Sequence, residues 1–464
     1  MLFSSLFALD DIDISSVFYR FVTQLVKRFL DKTKGVLTQS EGLGYLQIYN
    51  LIKTAGIVVV SIIFAKIIPN PLIINSWETI LLLGTGFTFF YVSGLGYTLV
   101  SFIKQFKNEQ RPIIFKNTFV LLFIFSIFSS ICILFTAIYI PSISLPVSQL
   151  IFFCIYIVGN VCSTVVEYIY FLNKSYYKLL GWGILNFIIF ILAPTIPLIL
   201  EYDFIYSMYA LAAFGVLKFG VTLRLIGLSF RLNQLNYLKP LLIFNWPVIV
   251  SLLFGTGYIY CANFILKDTI SVNDFNLFRY GSREFPLFIV MANSFSIVLG
   301  GITAEKFNTL NYWDEIKKSH LRLMHQLFPL ACILMLSSKY LFQLVYSDSF
   351  ISAYTIFNIL MLTIIARVLF PQSLLMGKGK TRYAFYSALL EFIIGIGLVL
   401  ILTPNYGIVG AAFALSLAYF TEKLILILFC YQQNIPFHKS INLKWLVAYI
   451  LLLILCFGFS MRFN

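Results

Sequence analysis

Thirteen apolar runs of about twenty residues or more, separated by short polar breaks, fill almost the whole chain beyond residue 44. Each is long enough to cross the roughly 30 Å hydrocarbon core of a bilayer as an α-helix. They lie at about 45–68, 77–103, 115–140, 147–172, 178–200, 203–228, 240–265, 276–303, 322–345, 350–376, 381–403, 407–431 and 442–461. Only 11% of the 464 residues are charged, against about 25% in a soluble domain, which excludes a soluble enzyme. The runs are too long and too uniformly apolar for barrel strands. Lipid leaves no water to satisfy open backbone, so an all-α polytopic membrane protein remains.

Charge in the breaks orients the bundle. The chain has 33 Lys and Arg against 19 Asp and Glu, a formal charge of +14, yet these cations come in small clusters rather than on one solvated face. A nucleic-acid partner is therefore not expected. Breaks on the N-terminal side hold twenty-three Lys or Arg and those on the other side four, namely Lys267, Arg279, Arg283 and Arg462. The positive-inside rule then predicts a cytoplasmic N-terminus in a bacterial inner membrane. The predicted external loops, such as PNPLIINS, PSISLPV, EYD, YSDSF and PNYG, are too short for a catalytic domain.

The segment 230–239, within FRLNQLNYLKP, divides a twelve-helix core into lobes 45–229 and 240–431, with residues 432–464 adding a thirteenth helix. Two six-helix halves are the usual product of an internal repeat in transporters. Residues 1–44 lack a charged n-region before MLFSSLFAL, so a cleaved signal peptide is not expected. Within them Phe18, Phe21, Val22, Leu25, Val26, Phe29 and Leu30 share one helical face beside Arg20, Lys27, Arg28 and Lys32. That pattern fits an amphipathic helix lying on anionic lipid, or a plain topogenic basic segment. A second polar helix, 311–326, is expected on the cytoplasmic face between the eighth and ninth runs as a solvated linker. The seven cysteines show no CxxC spacing, and the three histidines His320, His325 and His438 lie in polar segments. No metal and no cofactor are expected.

A charge at mid-span costs about 2.5–3.5 kcal/mol on insertion scales, so it must be paired, near an interface, or facing a wet cavity. In the first half Lys53, Glu167 and Lys218 share a depth and could pair. In the second, Arg367, Glu391, Glu422 and Lys423 lie at similar depths, and an Arg367–Glu391 pair is allowed. Structural ion pairing and a role in proton or sodium coupling both stay open for Glu167, Arg367, Glu391 and Glu422. The start of the eighth run, FNLFRYGSREFPL, places Arg279 and Arg283 four residues apart on one helical face, with Pro286 loosening the helix. Two guanidinium forks there form a clamp for phosphate or carboxylate. The alternative ties Arg283 to Glu284 or Glu167 to hold the halves together. The seventh run, with Asn245, Pro247, Gly255, Thr256, Gly257, Tyr258, Tyr260 and Asn263, is the most polar and breakable span.

Three stretches carry a resemblance: YGSREFP at Tyr280–Pro286, LLMGKGKTRYAFYSALLEF at Leu374–Phe392, and LTPNYGIVGAAFAL at Leu402–Leu415. In order and position they resemble the polysaccharide repeat-unit (O-antigen, Wzx-type) flippases of the multidrug/oligosaccharidyl-lipid/polysaccharide (MOP) exporter superfamily, over about residues 40–431. Within the third stretch, Gly407, Gly410, Ala411 and Ala412 would allow close helix contact. The resemblance implies two six-helix lobes around a cationic cavity, working by alternating access. It also implies that Arg283 and Lys53 bind the diphosphate of an undecaprenyl-diphosphate-linked oligosaccharide, with Arg279 and Lys218 as further candidates in the cavity. The polysaccharide polymerase machinery is then an expected partner. The thirteenth helix and the long N-terminal segment depart from the family pattern. A drug or metabolite exporter of the same superfamily is the second expectation. A membrane glycan polymerase or glycosyltransferase is the third, disfavoured by short external loops poor in carboxylates.

Overall fold

The computed structural model describes residues 41–463 apart from 69, 104, 144, 228–234, 284, 286, 287, 289, 290, 293, 294, 297, 298, 301, 304–306, 308 and 310. The amphipathic segment 17–30 and residues 230–234 of the linker 230–239 lie outside the described residues. Among those described, the chain is helical throughout its apolar runs. Helix α1 spans Glu41–Ile67, α2 Pro71–Ile103, α3 Arg111–Tyr139, α4 Val147–Cys162, α5 Thr164–Leu172, α6 Tyr176–Ile199 and α7 Phe204–Ile226. After the linker come α8 Leu238–Gly255, α9 Gly257–Thr269, α10 Val272–Gly281, α11 Tyr312–Leu336, α12 Ser338–Val345, α13 Ala353–Met361, α14 Ile364–Arg367, α15 Pro371–Gly377, α16 Arg382–Gln432 and α17 Leu443–Phe463.

Ten helical stretches among the described residues are long and apolar enough to cross a membrane, with α4–α5 and α13–α15 each counted as one, or eleven if α11 and α12, bent by 69°, form one span. The thirteen runs of the sequence map onto these elements with three differences that have physical causes. The 51-residue α16 counts once, although it holds two runs that meet at Gly407, whose φ of 59° and ψ of −141° are open to glycine and strained for other residues. A Cβ on Gly410 would lie 2.2 Å from the Leu402 carbonyl oxygen, so the chain turns back at this point as the PNYG signature suggested. The seventh run is broken at Thr256 into α8, which still counts as a span, and the 13-residue α9, which is too short to count. Finally, 311–326 is no separate linker helix. It continues unbroken into the apolar part of α11, because no glycine or proline interrupts it before Pro329.

Packing sorts the helices into two groups. In the first, α4 packs on α7 and α3, α1 on α6, and α2 on α3. The α4–α7 crossing is very close, since a Cβ on Gly159 would fall 1.9 Å from the Gly215 carbonyl oxygen. In the second, α16 is the hub for α8, α9, α13 and α15, and α17 packs along α11. Helix α2 joins the groups by running against α8, α9 and α10. Ile124, Phe128, Ile131, Phe135 and Ile138 form an exposed apolar stripe on α3, a surface that only lipid or another protein could cover.

Candidate functional site

The seam between the two groups holds the densest set of ionised side chains tied across them. Three residues of α2 at i, i+4 and i+7, namely Pro71, Asn75 and Glu78, share one helical face and each meets the second group. The Pro71 carbonyl accepts from Asn276 Nδ2 at 3.1 Å. Asn75 Oδ1 accepts from Lys267 Nζ at 2.5 Å. Glu78, fully buried, accepts from Arg279 Nε at 3.1 Å and from Arg283 Nη2 at 2.5 Å, with Ser61 Oγ at 3.5 Å.

Depth explains the meeting. Glu78 lies seven residues into α2 and Arg279 seven into α10, about 10 Å from the helix starts at 1.5 Å per residue. Both helices begin at the same end of the bundle, opposite the breaks that carry Lys107, Arg111, Lys174, Lys178, Lys378 and Lys380. That basic-poor end is sealed by the three polar ties, whereas further along α2 the seam is apolar. There Phe89 stacks on Tyr260 at 4.4 Å and Phe102 meets Phe244 at 5.3 Å.

The two arginines converge as their spacing predicts, but not as an empty clamp. Helix α10 ends at Gly281, so Arg283 stands at the break, and both forks already hold a carboxylate. That carboxylate is neither Glu167, which is bound elsewhere, nor any residue proposed from the sequence. Setting the second run at Trp77 made Glu78 an interfacial residue, while α2 begins at Pro71 and carries it about two turns deeper. Arg279 Nη1 also donates to Asn263 Oδ1 at 3.3 Å, so the polar stretch of the seventh run does contribute to the seam. The Arg283 guanidinium lies 4.8 Å over the Tyr280 ring, whose hydroxyl donates to the Ser61 carbonyl at 3.1 Å.

Arg283 also lines a small cavity of about 40 Å³, together with Ser282, Phe285, Phe357, Thr363 and Arg367. Its Nη1 is buried and makes no hydrogen bond of good geometry among the described residues, with the Tyr346 hydroxyl its polar neighbour. Arg367 lies 5.7 Å over the Tyr419 ring. The structure therefore puts Arg367 and Arg283 on the same cavity, a pairing that linear sequence separation concealed.

The remaining candidates form two further clusters. Lys53 Nζ donates to Glu167 Oε1 at 3.1 Å, the pairing expected from shared depth. Lys218 instead donates to Asn160 Oδ1 at 2.6 Å and sits 5.2 Å over the Phe214 ring. In the second group Lys423 Nζ lies 2.6 Å from Glu422 Oε2 and 4.7 Å over the Tyr419 ring. The charged and hydroxyl neighbours of Glu391 are Glu422, Lys423 and Tyr258. These clusters lie within one group each, while Glu78 alone of the four membrane-embedded carboxylates named here binds across the seam.

Two helical groups are joined along one long helix, with broken helices at the join, and this arrangement is shared with known proteins. Neither a protein-family profile nor a curated protein sequence matches the chain. Solved structures do. The lipid II flippase MurJ in an inward closed conformation superposes with a TM-score of 0.69 at 14% identity, over 90% of this chain and 92% of that one. The eukaryotic MATE transporter AtDTX14 gives 0.57 at 10% identity, over 90% and 100%. An inward-facing multidrug resistance MATE family transporter of the MOP superfamily gives 0.56 at 14%, over 84% and 95%.

Proposed function

We propose that the chain is a flippase that moves an undecaprenyl-diphosphate-linked oligosaccharide repeat unit from the cytoplasmic to the outer leaflet by alternating access, for cell-surface polysaccharide synthesis. The single observation that carries this reading is the cavity shared by Arg283 and Arg367, with a buried guanidinium nitrogen of Arg283 that makes no hydrogen bond among the described residues. A desolvated guanidinium fork suits a phosphate, which takes two parallel N–H···O bonds. The structural likeness to a lipid II flippase supports a lipid-linked cargo.

Charge balance points the same way. Glu78 and Glu167 bind Arg or Lys, Glu422 contacts Lys423, and Lys423 also neighbours Glu391. A cationic drug would have to displace protein cations from these carboxylates. The charge-poor end of the bundle is read as external and the basic end as cytoplasmic, in a bacterial inner membrane. With the interior negative, each anionic charge carried outward gains about 2.3 kcal/mol per 100 mV, so the potential drives export of a diphosphate. Arg283 and Arg367 hold the anion, Arg279 braces the seam, and Lys53 and Lys218 give the first group a second cationic patch.

The MATE likeness favours a second reading, export of a drug or metabolite, and the Glu391–Glu422–Lys423 cluster is where ion coupling would reside in it. One experiment separates the two. In cells lacking the gene, lipid-linked oligosaccharide accumulates on the cytoplasmic leaflet; wild type clears it, whereas Arg283→Ala and Arg367→Ala at normal protein level do not. Clearance by both variants removes the anion site, and altered drug sensitivity without accumulation moves the function to the second reading.

A further inference from the structure

Arg283 takes part in two arrangements at once. Through Nη2 it holds Glu78 and seals the seam at the basic-poor end. It is also a wall of the cavity that contains Arg367, and its Nη1 is buried and makes no hydrogen bond of good geometry among the described residues. A guanidinium fork satisfies a phosphate best by turning both of its terminal nitrogens to it. Arg283 has already committed one of them to a carboxylate.

We propose that cargo and seam compete for this one side chain: a phosphate entering the Arg283–Arg367 cavity takes Arg283 over from Glu78 and so unlocks the end of the bundle that the carboxylate holds shut. This rests on the diphosphate reading above and adds to it the step that couples binding to opening. After the exchange Glu78 keeps Arg279 through Nε and Ser61 through its hydroxyl, so the carboxylate remains satisfied while its tie to the break after α10 is lost. Three ties, Glu78 to Arg279, Asn75 to Lys267 and Pro71 to Asn276, then hold the seam with one ion pair in place of two. An empty transporter stays sealed because Glu78 occupies the place that cargo needs. A ligand shifts such an equilibrium only by its differential affinity for the two states, and the exchange supplies that difference.

Reciprocity makes the proposal testable. If the anion favours opening by some factor, removing the latch must favour the anion by the same factor, on the order of tenfold for a coupling of ordinary size. The full chain in phosphatidylethanolamine–phosphatidylglycerol nanodiscs is titrated with geranylgeranyl diphosphate as the probe, and with geranylgeraniol as the uncharged control. Deuterium uptake is followed in peptides covering 71–82 and 272–283. In wild type the diphosphate raises uptake in both peptides and the alcohol does not. Glu78→Gln shows raised uptake without any probe and binds the diphosphate on the order of tenfold tighter. Should Glu78→Gln fold poorly, Glu78→Asp, which shortens the reach by one methylene, gives an intermediate affinity and uptake.

Equal affinity in wild type and Glu78→Gln, with unchanged uptake at saturating diphosphate, overturns the exchange and leaves the flippase reading standing. Absence of diphosphate binding in both proteins overturns the exchange and the diphosphate cargo together.

Discussion

Glu78 and Glu422 are both buried glutamates in lipid-embedded helices, each within reach of a cation, yet their partners come from opposite kinds of place. Glu422 is held by its own chain neighbour, Lys423, inside α16, the hub of the second group. Glu78 is held by Arg279 and Arg283, 201 and 205 residues away, on the far side of the seam. The first pair cannot separate when the groups move, because both partners ride on one helix. The second must separate if the seam opens. Identical chemistry therefore contributes stability in one place and a conformational lock in the other, and only the location of the partner distinguishes them.

The largest effect expected from breaking this comparison is in stability, and at the hub. Glu422→Ala leaves Lys423 buried without its carboxylate and should cost about 3–5 kcal/mol, seen as lost yield and a lowered melting temperature in detergent. Glu78→Gln should stay folded, since opening the seam lets water reach both arginines. Equal destabilisation by the two variants would dissolve the contrast.

Next comes a test of rigidity inside the first group. Gly159→Ala drives a methyl into the Gly215 carbonyl, and overpacking of this kind costs about 1–3 kcal/mol. It should lower the melting temperature without changing deuterium uptake in 71–82, because the α4–α7 crossing does not lie on the seam. A matched change in seam uptake would mean that the groups do not behave as separate bodies.

A smaller effect tests the lock by charge exchange. Glu78→Arg places three guanidinium groups together and should abolish oligosaccharide clearance, while the double variant Glu78→Arg/Arg283→Glu restores the ion pair. Recovery by about tenfold in clearance corresponds to about 1.4 kcal/mol of coupling. It should remain incomplete if, as proposed, Arg283 also binds the cargo. Full recovery would show that Arg283 serves the seam alone.

The smallest expected effect is at Lys53, whose side chain is 45% exposed while its partner Glu167 is 8% exposed. A half-solvated pair contributes about 0–1 kcal/mol. Lys53→Ala should barely move the melting temperature and should slow clearance less than Arg283→Ala. A loss as complete as that of Arg283→Ala would make Lys53 an anion ligand of equal rank.

Much of the fold was legible because lipid imposes one rule on every span. Apolar runs had to become helices wherever they exceeded about twenty residues, and the glycine at the PNYG turn announced a reversal that its positive φ bears out. Helix ends were harder. Asparagine, serine and tryptophan at Asn75, Ser76 and Trp77 read as an interfacial boundary, whereas the helix had begun at Pro71. The extra turns placed Glu78 beside Arg279, and the position that counts most at the seam was missed. The polar helix at 311–326 was misjudged for the converse reason: its charges suggested a linker, but helical hydrogen bonding continues through polar residues as readily as through apolar ones.

Local composition by itself determined the solvent, the helices, and which charges could not stand alone, because those follow from the cost of each residue in hydrocarbon. Which charge meets which was decided by tertiary structure only. Pairing across the seam depends on the depth and facing of helices some two hundred residues apart, as Glu78 with Arg279, Asn75 with Lys267, and Arg283 with Arg367 on one cavity all show. Hydropathy reports a residue's depth to within a turn or two, and an ion pair needs its partners within 4 Å, so the lock could be read only after the helices were packed.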